Sequence, residues 1–301
     1  MERKGKRFEI ILPRFKKSAW DDRIKKNGIQ ELFIGQGFED RKVYDLAFLA
    51  DLEGLETIES LIVDAECSSY SFLKLFPKLK QLRVGNHKIK AQELDLQHLP
   101  DLKGLSLTGD FDVSGLELLF LKKIGVAETG QFPFSKLNDG IEELYLRNVK
   151  IDFQEMDQIR SLKSAEIIQI RNTSLRGLHL ETVQSLSLGY CPKLEDYSFL
   201  SHCRSLSYLE LQRCKNFPPD FEKLLGSLEL LQKLLLSDCG SIPSVRFVSK
   251  LPNLKVFTFW GTTVLDGDLK PCLSLEYAST DSKRSYNLKD KDLPKGKGFM
   301  L

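Results

Sequence analysis

No stretch of this 301-residue chain approaches the roughly 20 consecutive apolar residues of a membrane-spanning helix. The first apolar run, Phe8 to Leu12, is short and carries Glu9, so it lacks the roughly 7–15-residue apolar core of a secretory signal. Cysteine is sparse: six residues, no pair at C-x-x-C spacing. That argues against a zinc ribbon or dithiol motif and fits a reducing compartment better than a disulfide framework. A cytoplasmic location is expected. The four histidines, His87, His98, His179 and His202, are scattered and none is spaced as a metal pair. Charge of one sign is not in excess either. Lys and Arg number 44 against 42 Asp and Glu, a net charge of +2, which gives no bulk attraction to nucleic acid. Basic residues do gather near the start, including Arg3, Lys4, Lys6, Arg7, Arg14, Lys16, Lys17, Arg23, Lys25 and Lys26.

Chemical motifs are equally scarce. No Gly-Lys is followed by Ser or Thr in a phosphate-binding context, and no G-x-S-x-G elbow occurs. Carboxylates are abundant, but no pair falls in a recognisable motif. The expectation is therefore no enzyme, no catalytic residue, no cofactor, no metal and no small-molecule substrate.

Repetition is what the sequence has in quantity. The pattern L-x-x-L-x-L runs from Ile29/Leu32/Ile34 through Ile141/Leu144/Leu146, Ala165/Ile168/Ile170 and Val183/Leu186/Leu188 to a degraded Leu275/Ala278/Thr280. Twelve candidate copies follow one another, spaced 18 to 25 residues apart after a first gap of 29. The second and third apolar residues are two apart, so they share one face of a short strand and point into a core. One unit cannot bury its apolar side alone, and stability comes from stacking neighbours.

Three residues after the triplet, Cys191, Cys214 and Cys239 recur where the chain turns out of the strand. Gly37, His87, Asp110, Thr129 and Thr173 take that slot earlier, which predicts a less regular first half. The pattern resembles the L-x-x-L-x-L-x-x-N/C consensus of the leucine-rich-repeat superfamily over about residues 29–282. The resemblance implies an α/β leucine-rich-repeat solenoid: a curved parallel sheet on the concave side, with short helices, 3-10 turns and extended segments on the convex side. Phrases such as Asp196-Tyr197-Ser198-Phe199-Leu200 are similar to the returning segment of bacterial internalin-type repeats. Convex helical turns are expected there and at Leu46/Phe48/Leu49, Tyr70/Phe72/Leu73 and Phe221/Leu224/Leu225. Extended convex segments are expected near Leu94/Leu96 and Leu178/Leu180. Residues 1–28 read as a capping strand (7–12) with a basic connecting segment, 29–282 as one solenoid of about twelve repeats, and 283–301 as a polar, poorly ordered tail.

Outward-facing strand positions are not dictated by the core, so their identity is informative. In the first five repeats they are mostly small or charged. From the sixth onward they become Tyr145, Arg147, Gln169, Arg171, Tyr190, Tyr208, Glu210, Gln212, Arg213, Leu235, Trp260 and Tyr277. Tyr, Trp and Arg dominate binding hot spots, although the same aromatics can simply pack along a sheet. The expected function is non-catalytic protein binding on the concave face of repeats 6–11. Arg147 and Arg171, read as equivalent positions in adjacent repeats, would grip an acidic group of the partner. A stand-alone solenoid without visible leader, wall anchor or companion domain resembles bacterial immunity or inhibitor proteins. The rival reading is nucleic-acid binding by the basic N-terminal segment together with the Arg and Tyr patch.

Overall fold

The computed structural model describes residues 7–12, 14–21, 28–36, 40, 42–89 and 91–296. The chain divides into two compact units, Met1–Ile141 and Glu142–Leu301. Among the described residues no helix is long and apolar enough to cross a membrane.

The first unit holds β1 (Arg7–Leu12), β2 (Glu31–Gln36), β3 (Ser60–Asp64), β4 (Gln81–Gly85), β5 (Gln92–Asp95), β6 (Gly104–Thr108), β7 (Phe111–Ser114) and β8 (Lys123–Ala127). Its main sheet runs β1-β2-β3-β4-β6-β8, every pair parallel. β5 and β7 form a separate parallel pair on the other side, so the extended segment expected at Leu94 is present. Alternation is clearest in β3 and β4, whose inner pairs, Leu61/Val63 and Leu82/Val84, are almost wholly buried, while β8 is buried from Ile124 through Ala127. The segment after β1 is anchored by Trp20, fully buried, whose indole Nε1 donates to the Glu53 carbonyl at 3.0 Å. Pro13 and residues 22–27, part of the expected basic connector, lie outside the described residues, as does Gly37.

The second unit holds β9 (Glu143–Arg147), β10 (Ser164–Ile168), β11 (Ser185–Gly189), β12 (Tyr208–Gln212), β13 (Lys233–Ser237), β14 (Gly240–Ile242), β15 (Val256–Phe259), β16 (Thr262–Val264) and β17 (Tyr277–Thr280). β9-β10-β11-β12-β13-β15-β17 form one parallel sheet, and β14 and β16 a smaller one. The return segments are mostly single 3-10 turns: Ala47–Asp51, Ser71–Leu75 and Ser198–His202 fall on three of the expected apolar blocks. The fourth, Phe221–Leu225, is a short α-helix. Leu178 and Leu180 are buried and lie between two turns, in a stretch that pairs into no strand.

One repeat is out of register with its sequence reading. Ala165 pairs with Leu144 and Ile167 with Leu146, so the inner pair of β10 is Ala165/Ile167 and its triplet begins at Leu162. Reading Ala165/Ile168/Ile170 had shifted the repeat by three residues. Ile170, fully buried, therefore fills the slot assigned to Thr173. The physical cause is the run Ile167-Ile168-Ile170, which offers apolar residues to either register.

The turn after each strand explains the slot. Two residues past the inner pair the backbone is left-handed at Gly109, Glu128, Asn148, Gln169, Tyr190, Arg213, Asp238 and Gly261. The following side chain then turns inward. Cys214 Sγ donates to the Leu188 carbonyl at 3.6 Å, Cys239 Sγ to Leu211 at 3.1 Å, and Thr262 Oγ1 to Leu236 at 3.3 Å. These are carbonyls of the preceding repeat, so the slot residues form a buried ladder that staples neighbours. Burial pushes the Cys239 thiol up to about 12, which keeps it a neutral donor.

The polar end is the second correction. Residues 283–296 pack against β16 and β17 and are not a loose tail. Tyr286 and Leu293 are each 4% exposed. The Tyr286 hydroxyl accepts from Val264 N–H at 3.0 Å and donates to the Thr262 carbonyl at 3.3 Å. Asp290 Oδ1 accepts from Ser279 Oγ, Thr280 N–H and Lys295 Nζ, at 2.8, 2.9 and 2.8 Å. Two buried side chains are enough to seat the segment, and average polarity conceals them. Residues 297–301 lie outside the described residues.

Candidate interaction surface on the second unit

All twelve expected contact residues fall in the second unit, and the strand register sorts them into rows. Before the inner pair, Glu143, Ser164, Ser185, Tyr208, Lys233, Val256 and Tyr277 lie side by side. Between the inner residues, the row reads Tyr145, Glu166, Ser187, Glu210, Leu235, Thr258 and Ser279. Arg147, Ile168, Gly189, Gln212 and Ser237 follow the inner pair, and Trp260 continues that row, since Asp238 N–H donates to its carbonyl just as Arg213 N–H donates to Ser237. Adjacent members of a row sit about 4.8 Å apart at the backbone.

Eleven of the twelve predicted residues therefore belong to the strand face or its rim. Gln169, Tyr190 and Arg213 occupy the left-handed rim column. Arg171 does not belong. It lies beyond the turn, four residues after Ile167, and the register partner of Arg147 is Ile168. The expected two-arginine clamp is not formed, because it depended on the shifted repeat. Sequence reasoning also missed Glu166, Ser187 and Lys233. Glu166 and Ser187 flank one another in the central row, and a correct register for the seventh repeat would have found Glu166.

The face is chemically mixed. Trp260 is 49% exposed, an unusual state for so large an apolar surface, and Leu235, Tyr145 and Tyr277 are half-buried. Arg213 lies over the Tyr190 ring, 4.7 Å from its centre, and its Nε is 3.4 Å from Asp238 Oδ2. Glu210 Oε2 accepts from Tyr208 hydroxyl at 2.9 Å and from Ser187 Oγ at 3.2 Å. Burial, then the hydrogen bond to Glu210, raises the Tyr208 pKa well above the usual phenol value, so the hydroxyl remains a donor. Lys233 Nζ stands 5.7 Å from the Tyr208 ring centre. Among the described residues no three His, Cys, Asp or Glu side chains converge to hold a metal ion.

Stacked parallel strands, single-turn returns and the inward slot ladder define the leucine-rich-repeat solenoid. No protein-family model and no curated protein matches the sequence. Among solved structures, the chain is similar to an internalin (InlF) of Listeria monocytogenes at TM-score 0.53 and 17% identity, covering 88% of this chain and 83% of that one. It is similar to internalin J of the same organism, whose functional domain includes a cysteine ladder, at 0.53 and 15%, covering 84% and 55%. The chain in the TLR13–ssRNA13 complex aligns at 0.58 and 18%, over 95% of this chain and 52% of that one. At these identities the likeness is one of fold.

Proposed function

We propose that this chain is a non-catalytic protein-interaction module that holds a partner protein on the strand face of residues 142–301. The observation that carries the reading is Trp260, half exposed on a sheet face that also presents Leu235, Tyr145 and Tyr277. A large aromatic left in water, ringed by polar residues, has the make-up of a binding hot spot. Inhibition of the partner, as by an immunity protein, is the role we assign within that class, acting in the cytoplasm. Nucleic-acid binding is disfavoured on this face, because Glu166 and Glu210 in its central row would repel phosphates.

The test is a pull-down from the source lysate with wild type and a Tyr145→Ala/Arg147→Ala/Trp260→Ala variant in parallel. A single protein retained by wild type and lost by the variant is the expected result. Equal retention by both would move the site off this face, and co-purifying nucleic acid without protein would replace the reading.

A further inference from the structure

The backbone hydrogen bonds of the first unit keep one phase along its main sheet. A residue at an outward position sends its N–H and C=O toward the strand before it. Gln81 N–H donates to the Glu59 carbonyl, Gly104 N–H to Lys80 and Lys123 N–H to Lys103, each at 3.0 Å. The Thr108 carbonyl accepts from Asn86 N–H at 2.7 Å. On β1 the same phase turns Arg7, Glu9 and Ile11 toward a strand that none of the described residues supplies. Of their backbone groups, only the Ile11 carbonyl is taken among the described residues, by Arg14 N–H at 2.9 Å.

The outer edge of β17, in the second unit, is the opposite case. Ala278 N–H donates to the Pro294 carbonyl at 3.0 Å and Gly296 N–H to Glu276 at 2.9 Å, while Tyr277 faces Lys295 in an antiparallel bridge. That edge is closed. An edge strand with free backbone groups is a template for pairing. With β17 capped, a second copy cannot add head to tail there, and β1 against β1 is the contact that closes on itself. A two-fold axis makes those strands antiparallel.

Arg7 and Glu9 choose the register. Opposite residues of a hydrogen-bonded antiparallel pair exchange both N–H and C=O. Arg7 against Arg7, or Glu9 against Glu9, would set like charges face to face. Any register that uses Ile11 needs its occupied carbonyl. Arg7 against Glu9 of the second copy avoids both, and the axis repeats that pair on its other side. The side chains are already in place: Arg7 lies over the Phe33 ring, 5.0 Å from its centre, with its Nη2 3.1 Å from Glu9 Oε1. Between them Phe8, half-buried and edge-on to Trp20 at 5.2 Å, would meet Phe8 of the second copy. Charge of one sign protects an edge by repelling its own copy. Alternating Arg and Glu do the reverse.

We infer that β1 is a self-association edge: two copies of this chain join β1 to β1, antiparallel, with Arg7 of each opposite Glu9 of the other. The surface lies in the first unit and is separate from the partner face. Sedimentation equilibrium of the full chain tests it, run up to about 200 µM. Wild type should form a reversible dimer. Arg7→Glu and Glu9→Arg each set like charges opposite, and each should raise the dissociation constant about tenfold or more. The two side chains are 47% and 55% exposed, so both variants should fold, as circular dichroism checks. Mixing Arg7→Glu with Glu9→Arg should restore a dimer, and so should Arg7→Glu/Glu9→Arg by itself. Amide exchange at Glu9 should slow as wild type is concentrated, because its N–H gains an acceptor. A monomer throughout, or a dimer that both single variants keep at wild-type affinity, overturns the inference. So does a dimer lost in the single variants and not regained on mixing, since the register would then be wrong.

Discussion

At the scale of single residues, the left-handed column after each strand is where backbone and side chain conflict. Glu128, Asn148, Gln169, Tyr190, Arg213 and Asp238 carry a β-carbon at φ between 49° and 59°, while Gly109 and Gly261 fill the same position elsewhere. A left-handed residue with a side chain costs roughly 1–2 kcal/mol, and β-branching makes it worse. The turn persists because each rim N–H is satisfied across the sheet: Gln169 donates to the Gly189 carbonyl at 2.8 Å and Tyr190 to Gln212 at 2.7 Å. Gln169 is exposed, so it isolates the backbone effect. Gln169→Gly should leave the melting temperature unchanged or slightly raised, because relief of strain offsets the glycine's greater unfolded entropy. Gln169→Val should lower it by about 2 °C or more. Thermal unfolding of the pair decides it, and a valine variant as stable as the glycine one would show that the position is not strained.

Elements are held by a few buried polar anchors, and the C-terminal segment shows how few suffice. Tyr286 satisfies Val264 N–H and the Thr262 carbonyl, two backbone groups of β16 buried from water. Tyr286→Phe keeps the ring and orphans both, so a loss of about 1–3 kcal/mol is expected from urea unfolding. An unchanged midpoint would mean that water replaces the hydroxyl. At this scale the sequence was only partly legible. The strands on the inner face of each repeat, three of the 3-10 turns and the cysteine ladder followed from periodicity, because burial imposes period two there, whereas the small β14–β16 pair was not foreseen. The seventh repeat did not, since Ile167-Ile168-Ile170 fits two registers. The signal that resolves it was present: spacings of 24 then 18 residues around Ala165 become 21 and 21 when the triplet starts at Leu162. That shift alone created the Arg147–Arg171 clamp and hid Glu166. The seating of residues 283–296 was out of reach for a different reason, because two buried side chains do not alter the composition of a polar segment.

For the molecule as a whole, nearest-neighbour stacking determines how a local defect spreads. Inner leucines within the second unit, such as Leu186, Leu209 and Leu234, lie on strands paired on both sides with neighbouring repeats, and stability in such an array is close to a sum of repeat and interface contributions. Leu209, on β12, is fully buried between Leu186 of β11 and Leu234 of β13. Leu209→Ala should cost about 2–5 kcal/mol, since the flanking strands are tied by their own ladders and cannot collapse into the space. In native-state hydrogen exchange the loss should appear most strongly at amides of β11, β12 and β13. It should decline outward along the sheet and leave β2, β3 and β4 of the first unit at wild-type rates, because a repeat feels its neighbours and not the whole chain. Equal acceleration of every slow amide, in both units, would instead show that the chain opens only as one global unit. The distinction bears on function. A locally softened β11–β13 region would degrade the aromatic face while the first unit stayed folded. Leu209→Ala should therefore weaken partner binding at temperatures where the exchange pattern of β2–β4 is still that of wild type.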